Sequence, residues 1–175
     1  GLEVIDVGAS TGGFTDCVLQ HGAARVWAVD VGYGQLAWRL RTDARVECLE
    51  RTHIRDVDPA HTGAACDLAV IDCSFISLAR VLGPTLRHLH EQADVIALVK
   101  PQFEVSREQA PGGVVRDEAI RRAAIDEVLA SARRLGLVLQ DELACPVHGP
   151  AGNVEHLIWL RREPGAPGSP DAPQE

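Results

Sequence analysis

Two features of the sequence have residue types and spacings that could do chemistry. The first is a glycine-rich turn, DVGASTGGFT (residues 6–15), with a carboxylate, Asp30, placed 22 residues beyond its first glycine, Gly8. Gly8, Gly12 and Gly13 let backbone approach a ligand closely. A helix that starts there offers free N–H groups and the positive end of its dipole. An acid at the end of the next strand accepts hydrogen bonds from both hydroxyls of a ribose. Together these indicate a cofactor that contains adenosine. The second feature is Lys100, the one lysine among 17 basic residues. It follows the apolar run IALV (96–99) and precedes Pro101. An amine can lose its proton and a guanidinium effectively cannot. A single lysine in an arginine background therefore marks a position where that difference matters.

The glycine spacing, G-x-x-x-G-G, departs from the G-x-G-x-x-G of dinucleotide sites and lacks the G-K-[ST] of a P-loop. Asp6, two residues before the first glycine, suits S-adenosylmethionine, whose amino group a carboxylate near the helix start engages. On the residues alone a nicotinamide cofactor stays open.

The elements that must position these groups are short apolar runs alternating with longer amphipathic ones. Strands are expected at residues 2–7, 25–30, 45–49, 67–72, 94–99, 137–143 and 154–160, and helices at 13–21, 35–41, 78–90 and 118–135. Gly136 sits where a helix C-terminal cap belongs. Apolar, β-branched strands alternating with helices predict an α/β fold, a doubly wound Rossmann-like layer with a parallel sheet covered on both faces. The stretch 101–116, with APGGVV inside it, reads as a mobile lid or an ordinary surface loop.

At 175 residues the chain suits one domain. A net charge of −8 argues against gripping nucleic acid by charge alone. No run is long enough to span a bilayer and no signal peptide is evident. The scattered cysteines at 17, 48, 66, 73 and 145 read as reduced and mostly packed, and the location as cytoplasmic. Without an initiator methionine, Gly1 is expected to be the cut edge of a longer protein or an expression boundary. Residues 163–175, rich in Pro and Gly, are expected to be disordered.

The blocks DVGASTGGFTDCVLQHGAARVWAVDVGYGQLAWRLR, ERTHIRD, VIDCSFISL, LVKPQFE, GGVVRD and GPAGNVEHL, in that order, resemble the TlyA-like family. Its members are bacterial ribosomal-RNA 2′-O-ribose methyltransferases, historically labelled haemolysins, with an FtsJ-like catalytic domain. The resemblance covers residues 2–161. It implies a class I S-adenosylmethionine-dependent methyltransferase domain over 1–162, built on a seven-stranded, mostly parallel sheet with an antiparallel last strand. It also implies that an N-terminal S4-type RNA-binding domain is absent from this chain. Ribosomal RNA or ribosomal subunits are the implied partners, docked mainly by that domain, so this chain alone is expected to methylate weakly or not at all.

By the same resemblance, Gly8, Ser10, Thr11 and Gly12 line the cofactor's methionine part and Asp30 binds its ribose. Residues around 50–53 flank the adenine, with His53 where the family often has Asn, and Asp72 faces the transferred methyl. The full expected cofactor set is Asp6, Gly8, Ala9, Ser10, Thr11, Gly12, Gly13, Phe14, Thr15, Asp30, Val31, Arg51, Thr52, His53 and Asp72. Asp72, Lys100 and Glu155 match three members of the family's Lys-Asp-Lys-Glu tetrad, whose first lysine lies upstream of the first strand. Lys100 is expected to take the 2′-hydroxyl proton while Asp72 and Glu155 orient it, although a base role and a positioning role stay open. The competing readings are a NAD-binding oxidoreductase and a pore-associated haemolysin, the latter disfavoured by the missing membrane span.

Weaker features carry bland readings. His88 and His90, two apart on an expected helix, do not share a face, and no metal site is expected. Ser74 lacks the G-x-S-x-G setting of a hydrolase nucleophile. Tyr33 and Trp38 are expected to pack beside the cofactor pocket. Arg116, Arg121 and Arg122 either meet RNA phosphate or form solvated surface.

Overall fold

The computed structural model describes residues 1–63 and 65–163. The strands are β1 (Glu3–Val7), β2 (Arg25–Val29), β3 (Val46–Leu49), β4 (Cys66–Ile71), β5 (Leu89–Val99), β6 (Leu137–Ala144) and β7 (His156–Arg162). They form one sheet in the order β3-β2-β1-β4-β5-β7-β6. The first five pair in parallel, and β7 runs antiparallel to both its neighbours. The helices are α1 (Gly13–Gln20), α2 (Trp38–Arg41), α3 (Pro59–Thr62), α4 (Ala79–Leu86) and α5 (Glu118–Arg134).

Alternation along each strand divides the core in two. Ile5 and Val7 of β1 and Ala69 and Ile71 of β4 pack with Val81 and Leu82 of α4 and with Ile125 and Val128 of α5. Val4 and Val70 face the other way, onto Leu19 of α1 and Leu40 of α2. Fully buried side chains such as Ile5 and Ile125 each contribute about 1.5–3 kcal/mol by leaving water. The sequence writes the end signals of α5. The Asp117 side chain accepts from the Ala119 and Ile120 N–H groups, and Gly136 follows at φ 77°.

Three boundaries differ from expectation. The helix read over 78–90 stops at Leu86, and residues 89–90 open β5. Its amphipathic spacing continues past Leu86, but the Cys66 N–H donates to the His88 carbonyl and buried Leu89 pairs with Cys66. The long-range strand register outweighs local periodicity. His88 and His90 are therefore not on a helix. His88 is buried against Thr62, and His90 faces Asp67 at 3.2 Å. The helix read over 35–41 shrinks to one turn, because the Gln35 N–H is drawn to Glu50 and the Ala37 N–H to the Thr11 carbonyl. The last strand starts two residues later than expected, at His156.

Residues 101–116 contain two 3-10 turns, Pro101–Phe103 and Pro111–Gly113. Val114 and Val115 are buried, and the Asn153 side chain accepts from the Val115 N–H and donates to the Gly113 carbonyl. Of the expected tail, Glu163 donates its N–H to the Gly136 carbonyl at 3.3 Å, and 164–175 lie outside the described residues. All five cysteines are free thiols, with Cys66 buried and Cys17 exposed. Among the described residues, no helix is long and apolar enough to cross a membrane.

Candidate active site

The chain order reverses between β1 and β4, and in open α/β sheets the ligand crevice forms beyond the strand ends at such a point. A cavity of about 420 Å³ opens there. Of the residues predicted from sequence, Gly8, Ser10, Asp30, Val31, Thr52, His53 and Asp72 line it.

The β1–α1 turn is held in an unusual backbone path. Gly8 has φ 84°, and a Cβ there would lie 2.4 Å from the Asp72 carbonyl oxygen, so only glycine fits between the ends of β1 and β4. Ser10 has φ 48°, a left-handed conformation costly for a residue with a side chain. Asp30 compensates. Its Oδ2 accepts from the Ser10 N–H at 2.8 Å and its Oδ1 from the Gly32 N–H at 2.6 Å. Each oxygen retains further acceptor capacity, and Asp30 lines the cavity.

Thr11, Gly13 and Phe14 lie further along the turn and do not line the cavity. Ala9 is buried, and Gly12 packs so closely on Leu40 that a Cβ would meet it at 2.2 Å. Thr15 is fully buried and donates to Asp6 Oδ2 at 2.6 Å. Asp6 lies beneath the turn. Burial pushes its carboxyl up to about 6, and its Oδ1 has no hydrogen-bond partner. On the other wall, His53 Nδ1 accepts from the Arg55 N–H and Thr52 donates its N–H to the Asp30 carbonyl. Arg51 turns away from the cavity, with its guanidinium 4.0 Å above the Tyr33 ring.

Beyond the ends of β4 and β5, Lys100 Nζ lies 2.6 Å from Asp72 Oδ1 in an ion-pair contact that is off hydrogen-bond geometry. Nζ also donates to Ser74 Oγ at 2.9 Å. The Lys100 side chain is largely buried while Asp72 is part-exposed at the cavity wall. Glu155 does not share that contact. Val99 pairs with His156, so Lys100 and Glu155 occupy adjacent register positions, but the buried Glu155 carboxylate is held by Gln102 Nε2 at 3.2 Å.

Sequence reasoning missed several groups. Ser74 was weighed only as a hydrolase nucleophile, yet it contacts Lys100. Gln35 lines the cavity and accepts from Ser10 Oγ. Phe75, 89% exposed at φ 65°, stands at the rim with its ring 5.0 Å from that of Phe103. A bulky residue following two polar ones at a strand end was the available signal for Phe75; nothing local marks the others.

Two weaker expectations change. Tyr33 and Trp38 are exposed and do not line the cavity, because the apolar side of their segment is supplied by Leu36 and Leu40. Arg122 is committed to Asp126 at 2.7 Å and to Glu142, tying α5 to β6. Arg116 is exposed and donates to the Pro111 carbonyl. Among the described residues, no three His, Cys, Asp or Glu side chains converge as metal ligands would.

Comparison with known proteins supplies names for this arrangement. Residues 1–162 match the model of the FtsJ-like methyltransferase family. The chain is 50% identical over 164 residues to the 16S/23S rRNA (cytidine-2′-O)-methyltransferase TlyA of Mycobacterium tuberculosis, covering 93% of this chain and 61% of that protein. It is 46% identical over 160 residues to the "Putative rRNA methyltransferase YqxC" of Bacillus subtilis, covering 90% of this chain and 57% of that one. It thus spans about three fifths of the length of these curated relatives. A crystal structure titled as a "putative hemolysin from Lactococcus lactis" superposes with a TM-score of 0.89 at 41% identity, over 97% of this chain and 80% of the other.

Proposed function

This chain belongs to the FtsJ-like methyltransferase family, and we propose that it carries the catalytic centre of an S-adenosylmethionine-dependent ribosomal-RNA 2′-O-methyltransferase. The observation that carries this reading is the Lys100–Asp72 pair, placed at the wall of the cavity that Gly8, Ser10 and Asp30 line. The similarity to rRNA 2′-O-methyltransferases supports the substrate class.

The residues fit the cofactor. A glycine at position 8 leaves space that a Cβ would fill, Asp30 offers acceptors to a ribose, and Asp6 holds a buried oxygen without a partner beneath the turn. In this reading Gly8, Ser10 and Asp30 hold S-adenosylmethionine, with Val31, Thr52 and His53 on the adenine side. Ala9, Thr11, Gly12, Gly13, Phe14, Thr15 and Arg51 shape the turn and rim from outside the cavity. When bound, the cofactor supplies a methyl group on a positively charged sulfur, an electrophile that needs a neighbouring oxygen nucleophile.

The protein's own work is to prepare that oxygen. A ribose 2′-hydroxyl is a weak nucleophile and must lose its proton as it attacks. Asp72 and Lys100 hold the hydroxyl at the cavity wall, and Lys100 takes its proton. In the resting site Lys100 donates to Ser74 and pairs with Asp72, which is the arrangement of an ammonium. To act as the acceptor, Lys100 must first give up one proton to solvent. Holding the groups in line can by itself remove several kcal/mol of barrier. Phe75, exposed at the rim, offers a ring face to a nucleotide base.

An S4-type domain outside this chain supplies the grip on RNA that a net charge of −8 withholds. The test is to map ribose methylation on ribosomal subunits treated with the full-length protein and S-adenosylmethionine. New 2′-O-methyl marks are expected. Tight binding of NAD in place of S-adenosylmethionine, with no marks, would refute the reading.

A further inference from the structure

We propose that Gln102 is a positioning residue that sets the Glu155 carboxylate for methyl transfer, an inference that rests on the reading just given and on the orienting role that the family resemblance implies for Glu155. The turn after β5 joins three walls of the site. Lys100 pairs with Asp72, Phe103 packs on Phe75, and Glu104 Oε1 accepts the Leu78 N–H at the entry to α4. Between them Gln102 reaches the loop that leads into β7 and donates from Nε2 to Glu155 Oε1 at 3.2 Å. Pro101 begins the turn, so the backbone beneath Gln102 is short and stiff.

Glu155 depends on this contact. Its side chain is 7% exposed, and a buried carboxylate is costly unless hydrogen-bonded. The backbone of Gly149 closes its other side, where an added Cβ would lie 2.4 Å from Oε1. Oε1 thus has both the Gln102 amide and the bare Cα of Gly149 beside it. The contact with Gln102 also dictates the amide's orientation. Turned over, Gln102 would set its oxygen against the carboxylate, two acceptors facing each other. With Nε2 committed, Gln102 Oε1 is left buried and without a hydrogen-bond partner. Leucine at this position would fill the space but strip the buried carboxylate of its donor. The residue therefore serves the orientation of Glu155.

The experiment is a double-mutant cycle in the full-length protein with S-adenosylmethionine and ribosomal subunits. The wild type, Gln102→Leu, Glu155→Gln and the double variant are compared in kcat, KM for the subunits, cofactor Kd and melting temperature. Gln102→Leu is expected to lower kcat about 10- to 100-fold. Its KM and cofactor Kd should stay within about twofold, its melting temperature should fall because the buried Glu155 carboxylate loses its donor, and in the Glu155→Gln background it should cost less than about twofold more in kcat. Wild-type kcat in Gln102→Leu, or an equal loss in both backgrounds, overturns the inference. Full activity of Glu155→Gln overturns it as well. If Gln102→Leu fails to fold, Gln102→Glu, which sets two carboxylates together, enters the same cycle. No methyl transfer by the wild type overturns the proposed function and this inference with it. Transfer that is insensitive to Gln102 overturns this inference alone.

Discussion

Asp30 accepts the Ser10 N–H at 2.8 Å, so the acid that follows β2 holds the bend that follows β1. One carboxylate both steadies the left-handed Ser10 and faces the ligand cavity. Asp30→Asn leaves one oxygen acceptor for two backbone donors. A hydrogen bond to a charged group contributes about 1.5–3 kcal/mol. Titration calorimetry with S-adenosylmethionine should therefore show affinity weakened about 10- to 100-fold. Unchanged affinity would leave Asp30 as a brace for the turn only.

Lys100 lies between Asp72 and Ser74, both within 3 Å of Nζ. Lys100→Arg keeps the positive charge but cannot give up its proton. Its kcat on ribosomal subunits should fall by about 10²-fold or more, with cofactor affinity nearly unchanged. Near-normal turnover would reassign Lys100 from proton acceptor to positioning group.

Burial raises the Asp6 carboxyl to about 6, above its ordinary value of 3.8. The folded state thus binds this proton more tightly than the unfolded chain. The stability that Asp6 contributes is fully present below about pH 4 and is lost as the pH rises through about 6. Denaturant unfolding of the wild type should show this decline, at up to about 1.4 kcal/mol per pH unit. Asp6→Asn should remove that part of the slope between pH 4 and 6. An unaltered slope would place the titration elsewhere.

Phe75 is 89% exposed yet held at φ 65°, so its ring contributes little to the core. Phe75→Ala should leave the melting temperature and cofactor affinity unchanged. A base stacked on an aromatic ring is worth about 1–3 kcal/mol, so kcat/KM for the subunits should fall about 5- to 100-fold. An unaltered kcat/KM would mean that the ring meets no RNA.

The edge where Asp72 and Lys100 meet was largely legible because apolar runs announce where strands end. Asp72 and Lys100 each follow such a run, and the register of β4 with β5 brings them together. The cofactor turn was legible for a similar reason, since clustered glycines signal a backbone path that side chains would block. Gly12, Phe14 and Thr15 belong to the same motif but do not line the cavity: Gly12 and Phe14 pack toward α2 and the second core, and Thr15 donates to Asp6 beneath the turn. Local periodicity ran the helix that starts near residue 78 on to His90, because spacing within a segment carries no record of the strand that will claim its end.

The sequence by itself determined the alternation of elements, the glycine turn with its distant acid, and the single lysine. These are local patterns, written in residue types and short periods. Tertiary structure alone decided which side chains meet. Ser74 reaches Lys100 across 26 positions and Gln102 reaches Glu155 across 53. Whether Asp30 braces a turn, whether Phe75 is bare, and whether an oxygen on Gln102 goes without a partner depend on chain segments that only folding makes neighbours. Hydrogen bonds act over about 3 Å, and no spacing along the chain specifies such a distance between segments so far apart.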